Sequence, residues 1–566
     1  MKNLQDDRSF DLPDGYELRD DGIFLQADPE NDNSAPIWLC SPLKVTAVVH
    51  DAHNMRWGRL IVAKDAAGKT HEWMMSASDL TKIAKISDQL LDRGLKLSRD
   101  RVSQKTLSEM FLNWVPAETI LITDKLGWAE PACQTFTLAD GTTIGRKRAI
   151  YAPLNQRFSP KNVAQCGNLV GWKQNVARLA DGNPVLVTAI SLAFAGPLLR
   201  LFGLNGFGMH FKGESSTGKT TALHVATSVW GNSSLIQSWR TTSNALEGIA
   251  ASSNDGFLAL DELGEVSAHN AAEASYMLAN GQGKGRSNAQ GAALASTDWK
   301  IAYLSTGEIS FGDKLAEAGL EPKSGQSVRL MDIRVDQRSH GIFDDLHDDD
   351  CAADFSGRLK KSGTEFCGVA GSAFVEKLAN TDIDLRKKWQ SMLIKFKGLI
   401  FREGGDPSDS VTERAAAQFA LIALAGELAT NFELTGWKSS TSLTAATDMF
   451  GLWLIGRLNP LSADEIGRRI HEFTIHSESR LQWIGGAVVM NNIGWQDQKR
   501  FMFSEEGWAE IHVGLKPRAV AKSARAHGIL TGADGDNLKV KAPTGIPNRP
   551  RLYMVNRSVL ERHNSK

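Results

Sequence analysis

Residues 213–231, GESSTGKTTALHVATSVWG, constrain this 566-residue chain more than any other stretch. Gly213, Gly218, Lys219 and Thr220 satisfy the spacing G-x-x-x-x-G-K-[ST]. In that pattern backbone N–H groups wrap phosphates, the lysine reaches the terminal phosphates and the hydroxyl holds magnesium. Glu214, Ser215, Ser216, Thr217 and Thr221 complete the expected nucleotide-contacting loop. Such a loop works only between a strand and a helix, because the helix N-terminus supplies part of the field. The flanks fit, with FGMHFKG before it, TTALHVATSVW after it, and Gly231 as the helix stop. ATP and Mg2+ are the cofactors this spacing predicts.

Around the loop, residues 166–340 alternate helices with the apolar strands FGMHFKG, LIQSW, FLALDE, WKIAYLSTGE and SVRLMDIRV. Strands alternating with helices predict a parallel sheet covered on both faces, so the fold class is α/β with a P-loop NTPase core. Upstream, residues 1–35 are polar and read as a flexible tail. Residues 36–165 read as an α+β N-terminal domain, with strands in IWLCSPLKVTAVVH, RWGRLIVAKD and THEWMMS, a hairpin turn at DAAGK, and helices over 78–97 and 103–114. Downstream, the acidic GIFDDLHDDD is a solvated loop, and helical periodicity over 352–402, 411–431 and 440–457 makes 341–460 a helical lid. Residues 461–566 form a further unit.

Charge excludes a global field: 64 Lys and Arg face 65 Asp and Glu, so any nucleic-acid contact must come from a local patch. The most apolar segment, 184–199, contains Ser191 and Pro197 and is too short to span a bilayer, which predicts a cytoplasmic protein with no membrane contact. Cys40, Cys133, Cys166, Cys351 and Cys367 are far apart in sequence and show no zinc spacing, so they read as free thiols.

The second half of the site is FLALDE, an apolar strand ending in two carboxylates. Asp261 is expected to hold the metal through water and Glu262 to orient the attacking water. This Walker B pairing points to the ATPase branch that includes AAA+ proteins and helicases; the N-K-x-D motif of a GTPase is absent. Ser305 and Thr306, at the end of WKIAYLSTGE, are placed to touch the γ-phosphate or the water. Arg329, before the fifth strand, and Arg414, opening a lid helix, are the candidate arginines. A planar, permanently charged guanidinium stabilises the spread transition-state charge and is worth roughly 10³–10⁵ in rate. In ring ATPases one such arginine comes from the neighbouring subunit.

Two basic segments remain. YMLANGQGKGRSNAQGAALASTDW carries four glycines with Lys284 and Arg286, and GKGRSN and AALAS can pair across AQG. A DNA-gripping hairpin and a surface loop with incidental charge are both open at this point. In the C-terminal unit, helices in SADEIGRRIHEF, SEEGWAEIHV and PRAVAKSARAHGIL, with strands LKVKAP and RLYMVN, follow a winged-helix order. Nine Lys or Arg over 516–557 against Asp534 and Asp536 form a phosphate footprint, with Lys516, Arg518, Lys522, Arg525, Lys539 and Lys541 as DNA-contact candidates. Winged helices also bind proteins.

The ordered motifs GESSTGKTTALHVATSVWG, SWRTTSNALEGIAASSNDGFLALDELGEV, YMLANGQGKGR, YLSTGEIS and GQSVRLMDI resemble a family long described as uncharacterised and found in mobile-element and prophage proteins. It includes the AAA+ helicases of staphylococcal cassette chromosome elements, which are likened to MCM replicative helicases. The resemblance covers about 36–460. It implies a hexameric ATP-driven DNA helicase with a winged-helix tail, acting on single-stranded or forked DNA in replication of a mobile element or prophage, with a primase or other element-encoded proteins as partners. It also implies that Lys219 and Thr220 serve the nucleotide, Asp261 and Glu262 the metal and water, Arg329 the trans finger, and Lys284 and Arg286 a pore hairpin. One departure from MCM proteins is visible: only WRTTSNALEGIAASSNDG separates the second and third strands, room for one helix and no added hairpin. The alternative to a helicase is an ATP-regulated DNA clamp, loader or defence ATPase.

Overall fold

The computed structural model describes residues 12–27, 34–153, 165–287, 293–294, 297–320, 325, 327–402, 405–406, 408–458, 463–513, 517–532 and 537–564. Two compact units emerge, Met1–Asn162 with Val375–Thr381, and Val163–Phe374 with Asp382–Lys566. Apart from Val375–Thr381, the segments expected as core, lid and C-terminal domain lie in the second unit.

The first unit is built on a five-stranded sheet in the order Ala149–Tyr151, Thr119–Thr123, Leu43–His50, Gly58–Lys64, Thr70–Ser76. The last three strands are antiparallel, and the DAAGK turn is tied by Asp65, whose carboxylate accepts from the N–H of Ala67 and Lys69 at 2.9 Å. Helices Ile83–Leu91 and Arg101–Asn113 close its core. The tail expected over 1–35 needs correction. Tyr16–Arg19 and Gly22–Leu25 form an antiparallel pair extended by Ile37–Cys40, and Ile23 is fully buried. The apolar alternation of YEL and GIFL, set in an acidic stretch, is enough to seat them on the core.

In the second unit, after short helical turns over 169–180, the chain runs through helix α1 (Pro184–Leu201) and then β1 (Phe207–Lys212), α2 (Lys219–Thr227), β2 (Ile236–Ser238), α3 (Ser243–Ser252), β3 (Gly256–Asp261), α4 (Ala268–Asn280), β4 (Ile301–Gly307) and β5 (Leu330–Arg334). All five strands are parallel, in the order β2-β3-β4-β1-β5. Their carboxyl ends therefore share one edge, where an open α/β sheet presents its ligand site. A single helix, α3, fills the space between β2 and β3, as the short spacer predicts.

Helix α1 is 18 residues long, enough by length and apolarity to cross a membrane, yet 83% of it is buried inside the protein. It lies on β3 and β4 and packs against α6 (Ser410–Asn431), which, with α5 (Leu385–Arg402) and α7 (Thr441–Leu458), forms the helical layer beside β5. The approach to β3 is close because Gly196 has no side chain: a Cβ there would stand 2.1 Å from the Gly256 carbonyl oxygen.

Between α4 and β4 the chain makes an antiparallel hairpin. Gly281 pairs with Trp299, Gln282 with Asp298, Arg286 with Leu294 and Ser287 with Ala293, all in the same register. Residues 288–292 and 295–296 lie outside the described set.

The C-terminal segment holds a sheet in the order Leu481–Trp483, Gly494–Gln496, Arg500–Phe503, Arg551–Asn556, Val540–Lys541. Helices Ala463–His476, Glu505–Ile511, α8 (Pro517–Ala526) and Arg557–Asn564 pack on it around Trp508 and Phe503. The strands at 481–483 and 494–496 are additional to the sequence reading; at three residues each they carry no alternation to detect. Among the cysteines, the fold makes distant Cys166 and Cys367 neighbours, bonded N–H to carbonyl in both directions at 3.0 Å.

Candidate active site

The phosphate-type loop leaves β1 and enters α2 at Lys219. Ser216 (φ +62°) and Gly218 (φ +104°) are both left-handed, the alternation that turns successive N–H groups to one side as an anion nest. At Gly218 only glycine fits, since a Cβ would fall 2.8 Å from the Phe343 ring. The ammonium of Lys219 is buried and donates to the carbonyls of Gly213 at 2.8 Å and Glu214 at 2.5 Å, which aims its charge into the loop. Asp336, from the segment after β5, accepts from the Glu214 N–H at 2.8 Å and buttresses the loop. Thr217 Oγ1 donates back to the Glu214 carbonyl at 2.8 Å. Ser215 stands exposed and Thr220 half-buried at the start of α2, whereas the Thr221 hydroxyl is turned away to Ser356 at 2.6 Å. A buried lysine inside a glycine-permitted nest is a donor set that fits a nucleotide triphosphate.

The carboxylates come from β3, at the same edge. Asp261 ends the strand and accepts a short hydrogen bond from the hydroxyl of Thr306 on the adjacent β4. Glu262 follows in the left-handed region at φ +59°, ψ +73°. A non-glycine residue held there costs on the order of 1–3 kcal/mol, the kind of strain that functional sites retain. Burial raises its carboxyl pKa, and Asp261 and Glu308 add to the rise, while Lys219 opposes it. Asp261 and Thr220 offer the oxygen donors that a hard divalent cation takes, so Mg2+ would be held there.

The two hydroxyls expected as sensors diverge. Thr306 reaches Asp261, but Ser305 is fully buried and its Oγ lies 2.8 Å from both Trp239 Nε1 and His210 Nδ1. Adjacent strand residues point to opposite faces, so only one of the pair can look at the site. His210 is fully buried on β1, and desolvation lowers its pKa to about 4, which keeps the ring neutral.

Neither candidate arginine stands at this edge. Arg329 precedes β5, at the opposite end of the sheet, about 16 Å along the strand from the end that pairs with Lys212. Its guanidinium donates to the Gly325 carbonyl at 3.1 Å and lies 4.2 Å over the Tyr276 ring. Arg414, exposed on α6, donates to the Ser410 carbonyl at 3.1 Å and lines with Arg329 one cavity of about 260 Å³. The structure thus brings the two arginines together, away from their own chain's phosphate-type loop.

Of the basic residues, Lys284 sits on the hairpin stem, partly exposed and paired with Glu273 at 2.7 Å; Arg286 is on the hairpin strand. On α8, Arg518, Lys522 and Arg525 line a cleft of about 810 Å³ facing α7. Lys539 pairs with Glu505, and Lys541 is exposed on its strand. Lys516 lies outside the described residues. Sequence reasoning missed Asp336, which sits 122 positions from its partner Glu214 and has no local signal, and Glu308, which stands in plain view two residues after Thr306.

The family model described as Domain of unknown function (DUF927) matches residues 16–298. The chain belongs to this family. The DUF927 match takes in both halves of the site and the hairpin, and it begins at Tyr16, within the stretch read from sequence as a tail. No protein of curated function matches the chain. Among solved structures it is similar to "SCCmec type IV Cch - active helicase", at 17% identity and a TM-score of 0.57, over 97% of this chain and 99% of that one. The DUF927 chain therefore shares that protein's fold over essentially its whole length. A second structure, NtrX from Brucella abortus in complex with ATP, is 14% identical with a TM-score of 0.18 over 48% of this chain and 70% of that one, an overlap too slight to carry an argument.

Proposed function

We propose that this protein is an ATP-dependent DNA helicase of the AAA+ type, serving a mobile genetic element or prophage in the cytoplasm. The observation that carries the reading is the meeting of Lys219, Asp261, Glu262 and Thr306 at one edge of a parallel sheet, with β4 inserted between the loop strand and the acidic strand. The full-length likeness in fold to a structure titled as an active helicase supports it.

In this reading Lys219 and the loop N–H groups bind the ATP phosphates, and Thr220 and Asp261 hold Mg2+, which supplies charge neutralisation at the phosphates when bound. Glu262 accepts a proton from the attacking water, and its raised pKa suits a base working near neutral pH. Arg329 serves the site of a neighbouring copy in a ring, a hexamer by the family resemblance; its place at the far edge of the sheet supports a role in trans. Arg414 stands with it. The 281–299 hairpin carries Lys284 and Arg286 toward DNA phosphates, and the C-terminal helices with the Val540–Lys541 and Arg551–Asn556 pair act as a winged helix. A primase or other element-encoded replication protein is the partner class this role requires.

Strand displacement on forked DNA with ATP tests the reading, run beside Glu262→Gln. Unwinding by the wild type and its loss in the variant are expected. ATP hydrolysis without any strand displacement would instead support an ATP-regulated clamp or loader.

A further inference from the structure

The cleft under α8 is strongly charged. Arg518, Lys522 and Arg525, on α8, form one wall at spacings of four and three residues, a row about 10 Å long. The opposite wall carries Arg334 and Arg338, at and after the end of β5, and Arg402 at the end of α5. The one acidic residue in the lining is Asp448 of α7, already paired with Arg338. Six cations line this cleft of about 810 Å³, with Arg334 and Arg338 also paired to Asp336 and Asp344, and a polyanion can compete for such partly exposed pairs.

Geometry decides which polyanion. A helix that reads duplex DNA enters a major groove about 12 Å wide and must stand clear of its own protein to do so. Here α8 instead packs against α7, and exposed Arg518 and Arg525 with half-buried Lys522 line an open cleft that Arg334, Arg338 and Arg402 also line. A flexible single strand can follow a channel with cations on both sides, which is how single-strand grooves track a backbone. We propose that this cleft binds the phosphate backbone of single-stranded DNA, a deepening of the helicase reading that rests on it for the choice of DNA as the polynucleotide.

The cleft is also wired to the ATP loop. Arg334 Nε donates to Asp336 Oδ1 at 3.0 Å, while Asp336 Oδ2 holds the Glu214 N–H at 2.8 Å; the Asp336 side chain is 5% exposed. Gly213 packs so tightly here that a Cβ would lie 2.7 Å from Asp336 Cβ. A DNA phosphate that engages Arg334 competes with Asp336 for the guanidinium, and the change is felt at the loop. Linkage makes the effect reciprocal, so nucleotide binding tunes the grip on the strand.

The test is fluorescence anisotropy of labelled oligo(dT) with the full-length protein over a salt series, for wild type, Arg402→Glu, Lys522→Glu and the conservative Lys522→Arg. The charge reversals, one on each wall, are expected to weaken binding at least tenfold, and each lost phosphate contact should lower the slope of log K against log salt by about 0.7. Lys522→Arg should bind as wild type does, which separates loss of charge from loss of fold. Unchanged affinity and slope in both reversals would overturn the proposal. So would a loss confined to duplex of the same sequence, which would make α8 a groove reader, or a loss of ADP binding with oligo(dT) binding intact, which would give the cleft to the nucleotide. If the wild type fails to separate strands yet the reversals still lose oligo(dT), the cleft stands and the helicase reading falls.

Discussion

Glu262 concentrates the chemistry of the site into one residue: a left-handed backbone, a half-buried carboxyl and two acidic neighbours. Its pKa is raised, and if the ionised form is the base as proposed, ATP turnover should fall as pH drops through that raised pKa. Glu308→Gln removes one of the neighbours that raise it, so the acid limb of the pH–rate profile should move to lower pH. An unmoved or raised limb in steady-state ATPase assays would show that Glu308 does not act on Glu262. That Lys219, Thr220, Asp261 and Glu262 stand at strand and helix ends was legible in the sequence, because it depends on adjacent positions. Asp336 and the inward turn of Ser305 were not, because one depends on a partner 122 positions away and the other on which face of β4 looks at the site.

At the scale of elements, the hairpin over 281–299 was readable because its glycines forbid a long helix and its two halves pair across AQG. Its described pairs at the base and near the tip share one register, and Arg286 sits in a paired strand. The Lys284–Glu273 pair is about half exposed, and exposed pairs of this kind contribute only about 0–1 kcal/mol, so a DNA phosphate can displace the glutamate. Lys284→Ala combined with Arg286→Ala is expected to abolish strand displacement while DNA-independent ATP hydrolysis continues, read by gel assay and phosphate release on the same preparation. Retained unwinding would remove the hairpin from the mechanism. The surroundings of α8 were beyond the sequence: Arg518, Lys522 and Arg525 share a face, but only packing against α7 decides that this face borders a cleft. Likewise, the apolarity of α1 shows that it is buried without saying whether lipid or α6 and the sheet cover it.

Across the whole molecule, the parallel sheet separates two functional ends. The loop and carboxylates stand at the carboxyl end of the strands, and Arg329 with Arg414 at the other. In the proposed reading a head-to-tail interface would present each copy's arginines to the next one's ATP site, and repetition would close a ring. The alternation of strands and helices made the sheet legible in advance, and with it the side of the fold on which the ATP site would lie. Which end Arg329 occupies follows from its position just before β5, a fact available in the sequence once the strand is known to be parallel. The most direct measurement is ATP turnover of mixed variants. Arg329→Ala and Glu262→Gln should each be inactive alone. Mixed in equal amounts they should recover activity, because about one interface in four then joins an intact Glu262 to an intact Arg329. A mixture no more active than its components, or an Arg329→Ala protein that turns over ATP at the wild-type rate, would contradict the account.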